Sequence, residues 1–270
     1  MFLTGSPWER RTFALYSRLV DDRARQKNLL RGVLDCLFPE FTQVFKDPLR
    51  LTARAVLLAC PAPHKIREKS LEKFVSLVRE VFRGRRLKLR KLRELHRLAQ
   101  ESIGIPVENQ TLVLELRVIL QLVEMLDHQI EEVEFQLMEQ LPALEESVYL
   151  LSIKGVGLVT AAGILAEIGD ISQYQNVKAL TKLAGINPSQ HDSASHRGTH
   201  TPMTKKGRAR LRRVVYQATL SCISHNPAFQ ADYRRLRERK RNPLPKMKAV
   251  GAMMNKLLRV IYALLSHGIL

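Results

Sequence analysis

Cysteine, acidic residues and strand-like alternation are all scarce in this 270-residue sequence, and each shortage removes a class of protein. Cys36, Cys60 and Cys222 are odd in number, widely spaced and form no C-x-x-C pair, which argues against a disulfide frame or a zinc ribbon and leaves buried thiols as the expectation. No stretch alternates apolar and polar residues with period two for long enough to make a strand, so the expected fold class is all-α. Carboxylate pairs placed for two-metal chemistry are missing from any recognisable constellation, which argues against an independent nuclease. Met1 to Phe13 holds no apolar run long enough for a signal peptide. Met253 to Leu270 is apolar but interrupted by Lys256, Arg259 and His267, so it reads as a core helix rather than a membrane span. A reducing, cytoplasmic setting away from the membrane is expected.

The acid shortage has a counterpart. Forty-four Lys and Arg against 26 Asp and Glu give a net charge of +18, with an isoelectric point near 10.2, and a polyanionic partner is the economical inference. A merely solvated basic surface is disfavoured by how unevenly the charge lies. Residues 205 to 248 hold fourteen Lys or Arg against Asp232 and Glu238, and residues 83 to 98 hold eight against Glu94. Both runs carry leucines or valines at three- and four-residue spacing, which predicts helices with one wet, charged face and one buried face.

Along the chain, Trp8 to Leu37 has a helical stripe of Tyr16, Val20, Leu30, Leu34 and Leu37, ended near Pro39. Phe38, Phe41 and Phe45 suggest a compact apolar turn, and Leu51 to Cys60 a second helix ending at Pro61. Lys69 to Gln100 reads as helical, with Gly84 its weakest point and Gly104-Ile105-Pro106 closing it. Leu112, Leu116, Ile119, Val123, Leu126, Ile130, Val133 and Leu137 follow a 4-3 spacing over three heptads, an a/d seam on a helix about 38 Å long. That helix is expected to pair with the Lys69–Gln100 helix as an antiparallel hairpin, with a homo-oligomer contact as the alternative. Pro142 ends it, dividing the chain into residues 1–142 and 143–270.

The second part concentrates the candidate chemistry. Gly155-Val156-Gly157 sits between two apolar helical segments, and paired glycines let a main chain approach a phosphate with its N–H groups turned outward. A tight interhelical turn is the plainer reading; Ala161 and Ala162 allow the close helix packing that either requires. Gly169 is the expected C-cap of the outgoing helix, Asn176 or Ser172 the start of the next, and Gly185 its end. The polar loop from Asn187 to Thr204 carries Ser189, Ser193 and Ser195, candidate nucleophiles or solvated loop serines. The loop spacing of His191, Asp192, His196 and His200 does not forbid a metal cluster, but without cysteines or a fixed helical i,i+4 pair no metal site is expected there. The basic run Lys205, Lys206, Arg208, Arg210, Arg212 and Arg213 is placed to neutralise phosphate charge. Tyr233 beside Arg234 and Arg235 lies in a regular helical pattern and reads as a core or phosphate-contact residue, not a recombinase tyrosine.

These elements occur together in one arrangement. Ile153-Lys154-Gly155-Val156-Gly157, Ala166-Glu167-Ile168-Gly169-Asp170, Leu183-Ala184-Gly185-Ile186-Asn187-Pro188, Lys205-Lys206-Gly207 and Leu211-Arg212 resemble, in order and spacing, the C-terminal domain of the insertion-sequence-110 family of DEDD transposases, related to pilin-gene invertases. The resemblance spans about Leu150 to Leu264, and the helices before it resemble the family's coiled-coil linker. It implies a helix–hairpin–helix-like turn at Gly155 and Gly157, nucleic-acid contacts by the basic run, and Ser193, five residues after Pro188, as a nucleophile forming a phosphoserine intermediate, with Ala194 where the family has glycine. It implies DNA and a structured guide RNA as partners. Divalent metal, Mg²⁺, belongs in that family to an acidic RuvC-like domain expected before residue 1, so no cofactor is expected in this chain, which reads as the back two-thirds of a transposase.

Overall fold

The structure, a computed structural model, describes residues 7–82, 86–104, 110–188, 192–193, 196–197 and 203–268. Gly84, Ile105, Pro106, Ser189, His191, Ala194, Ser195 and His200 lie outside them. The described elements are helical apart from a two-residue antiparallel pairing, Asp192–Ser193 with His196–Arg197, so the fold class is all-α. The helices are α1 (Pro7–Leu37), α2 (Phe41–Val44), α3 (Leu51–Ala59), α4 (Pro63–Arg67), α5 (Leu71–Val81), α6 (Leu89–Gln100), α7 (Gln110–Gln140), α8 (Glu146–Leu151), α9 (Leu158–Ile168), α10 (Val177–Ala184), α11 (Ala209–His225), α12 (Pro227–Glu238) and α13 (Lys246–His267). They form two compact units, Arg18–Ile130 and Met1–Ser17 with Glu131–Leu270. These units do not coincide with the 1–142 and 143–270 partition, because α1 and α7 each contribute to both.

In the unit Arg18–Ile130 the core joins Leu30, Leu34 and Leu37 of α1, Ala53, Val56 and Leu57 of α3, Phe74 and Val78 of α5, Leu92 and Leu95 of α6, and Leu116, Ile119, Leu120 and Val123 of α7. The expected phenylalanine turn is present: Phe38, Phe41 and Phe45 are buried, with successive ring centroids 5.9 and 5.1 Å apart. Of the predicted seam, Leu116, Ile119, Val123 and Leu126 are buried here. Asp127, one position after the seam, accepts hydrogen bonds from Arg23 of α1 and, at 2.7 Å, from Arg54 of α3. The single helix expected over Lys69–Gln100 is instead two. Ser70 caps α5 by accepting from the Lys73 N–H, Phe82 is extended, and α6 begins at Leu89. Five of the eight cations of the 83–98 run fall at or before Arg90, and their repulsion opposes a continuous helix there.

In the other unit α11 is central, packing against α9, α12 and α13. Its buried residues Leu211, Val214, Val215, Ala218, Thr219 and Cys222 fall at three- and four-residue steps, the stripe of a helix with a face turned inward. α13 is long and apolar enough to span a membrane by length and composition, but Val250, Met254, Leu257, Leu258 and Ile261 are buried in this core. Cys60 and Cys222 are buried as expected; Cys36 is exposed, because it lies on the wet side of α1.

Candidate nucleic-acid interface

The two turn glycines face opposite ways. Gly155 has φ +107°, and a Cβ built on it would stand 2.8 Å from the Cys222 Cα, so the turn closes directly on the α11 backbone. Gly157 is exposed, has nothing within 4 Å of a built Cβ, and is the N-cap of α9 without a side-chain cap. Its carbonyl accepts from the Ala161 N–H at 2.8 Å. The first-turn N–H groups of α9 have no partner within their own helix, no acidic side chain is near them in sequence, and Lys154 is exposed beside them. Behind the turn, Ala161, Ala162 and Gly163 are buried, and a Cβ on Gly163 would meet the Phe13 ring at 2.4 Å. Gly155 is therefore a packing glycine, whereas Gly157 faces open space.

Two segments separated by the serine loop lock together. Gly185 ends α10 in the left-handed conformation, φ +64°, and a Cβ on Gly207 would lie 2.4 Å from the Leu183 carbonyl oxygen, contact that only glycine allows. The Lys205 N–H donates to Gly185 O at 3.1 Å, Arg208 N–H to Leu183 O at 2.7 Å and Thr204 N–H to Asn187 O at 3.0 Å. The Thr204 hydroxyl adds a bond to Asn187 Oδ1 at 3.0 Å, and Pro188 and Met203 form a β-bridge. Lys205 takes φ +53°, a strained value for a side-chain-bearing residue, held by these bonds. The loop is thus pinched at its neck, and within it the backbone pairs Ser193 with His196.

The predicted cations divide by what they touch. Arg208 donates to the Glu167 carbonyl, and Arg10 to the Ala166 carbonyl at 3.3 Å, both at the C-terminal end of α9. Arg210 Nε donates at 2.7 Å to the carboxylate of Glu167, whose side chain is 1% exposed. With Ala209 these residues line a cleft of about 360 Å³. Arg212 donates to Ala184 O at 3.1 Å and Lys205 O at 3.2 Å, holding the end of α10. Arg213 acts on Tyr16, whose phenol is pushed up to about 12 by burial and then by Glu134, against the opposing pull of that arginine. Arginines on terminal carbonyls complement the negative end of a helix. Lys205 and Lys206 present exposed side chains.

The sequence reading includes the corner between α12 and α13 in the 205–248 basic run but names no site residue there; in the structure Arg234, Arg235, Arg237, Arg239, Lys240, Arg241, Lys246 and Lys248 are all exposed. The signal that could have found it was the density of charge around Pro243 and Pro245, a loop between two helical runs. Asp232, the acid beside them, is held below the usual carboxylate range chiefly by its hydrogen bond from Lys256. Among the described residues no three His, Cys, Asp or Glu side chains come together to hold a metal. Burial pushes the Cys222 thiol up to about 11, which makes it a poor nucleophile.

Residues 147–234 match the family described as "Transposase IS116/IS110/IS902 family". Among curated proteins the chain is similar to the "Insertion element IS110 uncharacterized 43.6 kDa protein" of Streptomyces coelicolor, 25% identical over 93% of this chain and 60% of that protein. It is also similar to the "Pilin gene-inverting protein" of Moraxella bovis, 31% identical over 53% of this chain and 43% of that protein. With the "Transposase for insertion sequence element IS1111A" of Coxiella burnetii it shares 29% identity over 37% of this chain and 27% of that protein. The chain thus spans about half the length of the first two.

Proposed function

Because the chain belongs to the IS116/IS110/IS902 transposase family, we propose that it acts on DNA as part of an insertion-sequence transposase or site-specific recombinase, with strand exchange through Ser193. The observation that carries this reading is the pinched serine loop. The family-like segments at 183–188 and 204–208 bind one another through their backbones, so the two ends of the segment that carries Ser193 are held side by side on a fixed base. A nucleophile gains from such a base because its approach to the substrate is set by the scaffold.

In this reading the Ser193 oxygen attacks the scissile phosphorus, a serine–phosphate ester replaces the strand's own ester, and the released hydroxyl takes up a proton. A second strand's hydroxyl later reverses the exchange and frees the serine. Serine needs activation to attack at neutral pH. In the family resemblance that activation comes from an acidic, Mg²⁺-binding domain, and the described residues do not fit the metal. The exposed N-terminus of α9 at Gly157 and Lys154 supports a helix–hairpin–helix-like phosphate contact. Lys205 and Lys206 are exposed cations of the predicted run whose side chains, unlike that of Arg210, hold no buried carboxylate and are open to the same backbone. A structured guide RNA is a proposed further partner on the same chemistry. A homo-oligomer is proposed through α7, where Leu114, Val118 and Leu122 are exposed four residues apart. A nucleoid-associated, cytoplasmic location accompanies the reading.

A second reading is binding without chemistry, favoured by the absence of an acidic cluster among the described residues. One experiment separates the two. The chain, supplied with the acidic domain of a full-length relative, is incubated with Mg²⁺ and supercoiled DNA bearing the sequences that flank its gene, then denatured to trap covalent adducts. An adduct in the unaltered chain and in Ser195→Ala, lost in Ser193→Ala, supports strand exchange through Ser193. An adduct that persists in Ser193→Ala moves the nucleophile elsewhere, and no adduct with intact DNA binding favours the binding module.

A further inference from the structure

We propose that the α12–α13 corner, residues 234–248, is the main duplex-DNA backbone contact of its unit. The inference rests on the DNA reading above, and most of the corner lies past residue 234, where the family match ends. Eight exposed cations against Glu238 leave a net charge of +7 in fifteen residues. The corner is also built. The Leu244 N–H donates to Leu236 O at 3.0 Å, Arg237 donates to Leu244 O at 2.8 Å, and Arg239 donates to Asn242 O, with Asn242 at φ +56° closing the turn. Its base is fixed by Asp232, which takes bonds from Lys256 and, at 3.1 Å, from Arg235, while the Lys256 ammonium stands 4.9 Å from the centre of the Phe229 ring.

A loop ordered by its own main chain loses little conformational freedom when it meets a ligand, so its charge is available for binding. The 205–213 run differs in this respect, because Arg208, Arg210 and Arg212 hold helix ends. The side chains of Lys240, Arg241, Lys246 and Lys248 make no hydrogen bond or ion pair with a described residue. Residues 234–248 contain no aromatic side chain. Single-stranded nucleic acid is held through base stacking on aromatic rings, whereas a duplex offers its phosphates without that requirement. The chemistry therefore selects a duplex backbone, read without sequence preference.

The test compares two charge-matched variants of the full chain. One carries Lys240→Gln, Arg241→Gln, Lys246→Gln and Lys248→Gln; the other carries Arg86→Gln, Lys88→Gln, Arg90→Gln and Arg93→Gln, all exposed in the unit Arg18–Ile130. Binding to a fluorescent 30-base-pair DNA duplex and to an RNA hairpin is measured across salt concentrations, with circular dichroism to verify helix content. The corner variant is expected to lose about tenfold or more in duplex-DNA affinity, its log–log salt slope shallower by about 3, and the control's slope to change by less than about 1. An unchanged slope in the corner variant, equal losses in both variants, or a loss confined to the RNA hairpin overturns the assignment. An unaltered chain that binds neither probe overturns the proposed function as well, whereas tight wild-type binding that survives the corner changes removes this inference alone.

Discussion

At Gly155 any side chain would meet the α11 backbone, and φ +107° would add strain to the clash. Gly155→Ala is expected to cost about 2–5 kcal/mol in urea unfolding, from overpacking and a positive φ together. Gly157→Ala is expected to cost no more than about 1 kcal/mol, since it loses only a favourable N-cap in open space. Duplex binding that falls in Gly157→Ala with stability kept would support the phosphate reading of this turn; wild-type binding there would remove it. The buried titratable groups give a pH signature. Cys222 and Tyr16 have folded pKa values raised to about 11 and about 12, above their unfolded values near 9 and 10. Each keeps its proton in the folded state after losing it in the unfolded chain, so stability is whole below pH 9 and declines as pH rises from there toward about 11 and beyond. Cys222→Ala should flatten part of that alkaline decline, measured by urea midpoints between pH 8 and 11. In the folded chain Cys36 alone should react rapidly with a thiol reagent.

At the scale of elements, the ends of α9 and α10 depend on arginines from the start of α11. Glu167 is buried and its carboxylate is held by Arg210, so removing one partner is not equivalent to removing the other. Arg210→Ala leaves a carboxylate without its cation and is expected to destabilise by about 1–3 kcal/mol, below the full buried-pair cost because the Arg210 side chain is 48% exposed. Glu167→Gln keeps an acceptor for the guanidinium and should cost less. Thermal unfolding of the two variants checks the order; an equal or larger loss in Glu167→Gln would mean that the pair is not what fixes this end of α9. Gly207 makes the matching contact at the end of α10, and Gly207→Ala should weaken protection of the Lys205 and Arg208 amides in hydrogen exchange.

At the scale of the whole molecule, a net charge of +18 makes association with any polyanion strongly dependent on salt. If about six to ten phosphates are contacted, the log–log slope for the unaltered chain should lie at roughly −5 to −9, and a salt-independent affinity would exclude backbone contacts as its source. The division into the units Arg18–Ile130 and Met1–Ser17 with Glu131–Leu270 also bears on where that charge sits. Arg86, Lys88, Arg90 and Arg93 are exposed on the first, and the α12–α13 corner on the second, so the two basic runs are separable by mutation.

Whatever depends on neighbours three or four residues away was determined by the sequence itself. Of the α7 seam, Leu116, Ile119, Val123, Leu126, Val133 and Leu137 are buried as their spacing required, while Leu112 and Ile130 are half-buried, and Asn176, Gly169 and Gly185 cap the helices as their chemistry dictates. Charge density, too, is a property of composition. What only the tertiary structure decided are meetings between segments distant in sequence. Nothing local distinguishes Gly155 from Gly157; the approach of Cys222, sixty-seven residues later, turns one into a packing residue and leaves the other open. Nothing local separates Arg208, Arg210 and Arg212 from Lys205 and Lys206 either, until the helix ends at Glu167 and Ala184 supply carbonyls and a carboxylate for the arginines to hold. Helix pattern follows from short-range sterics and hydrogen bonding, whereas the use of a particular glycine or cation follows from which distant backbone comes within bonding distance of it.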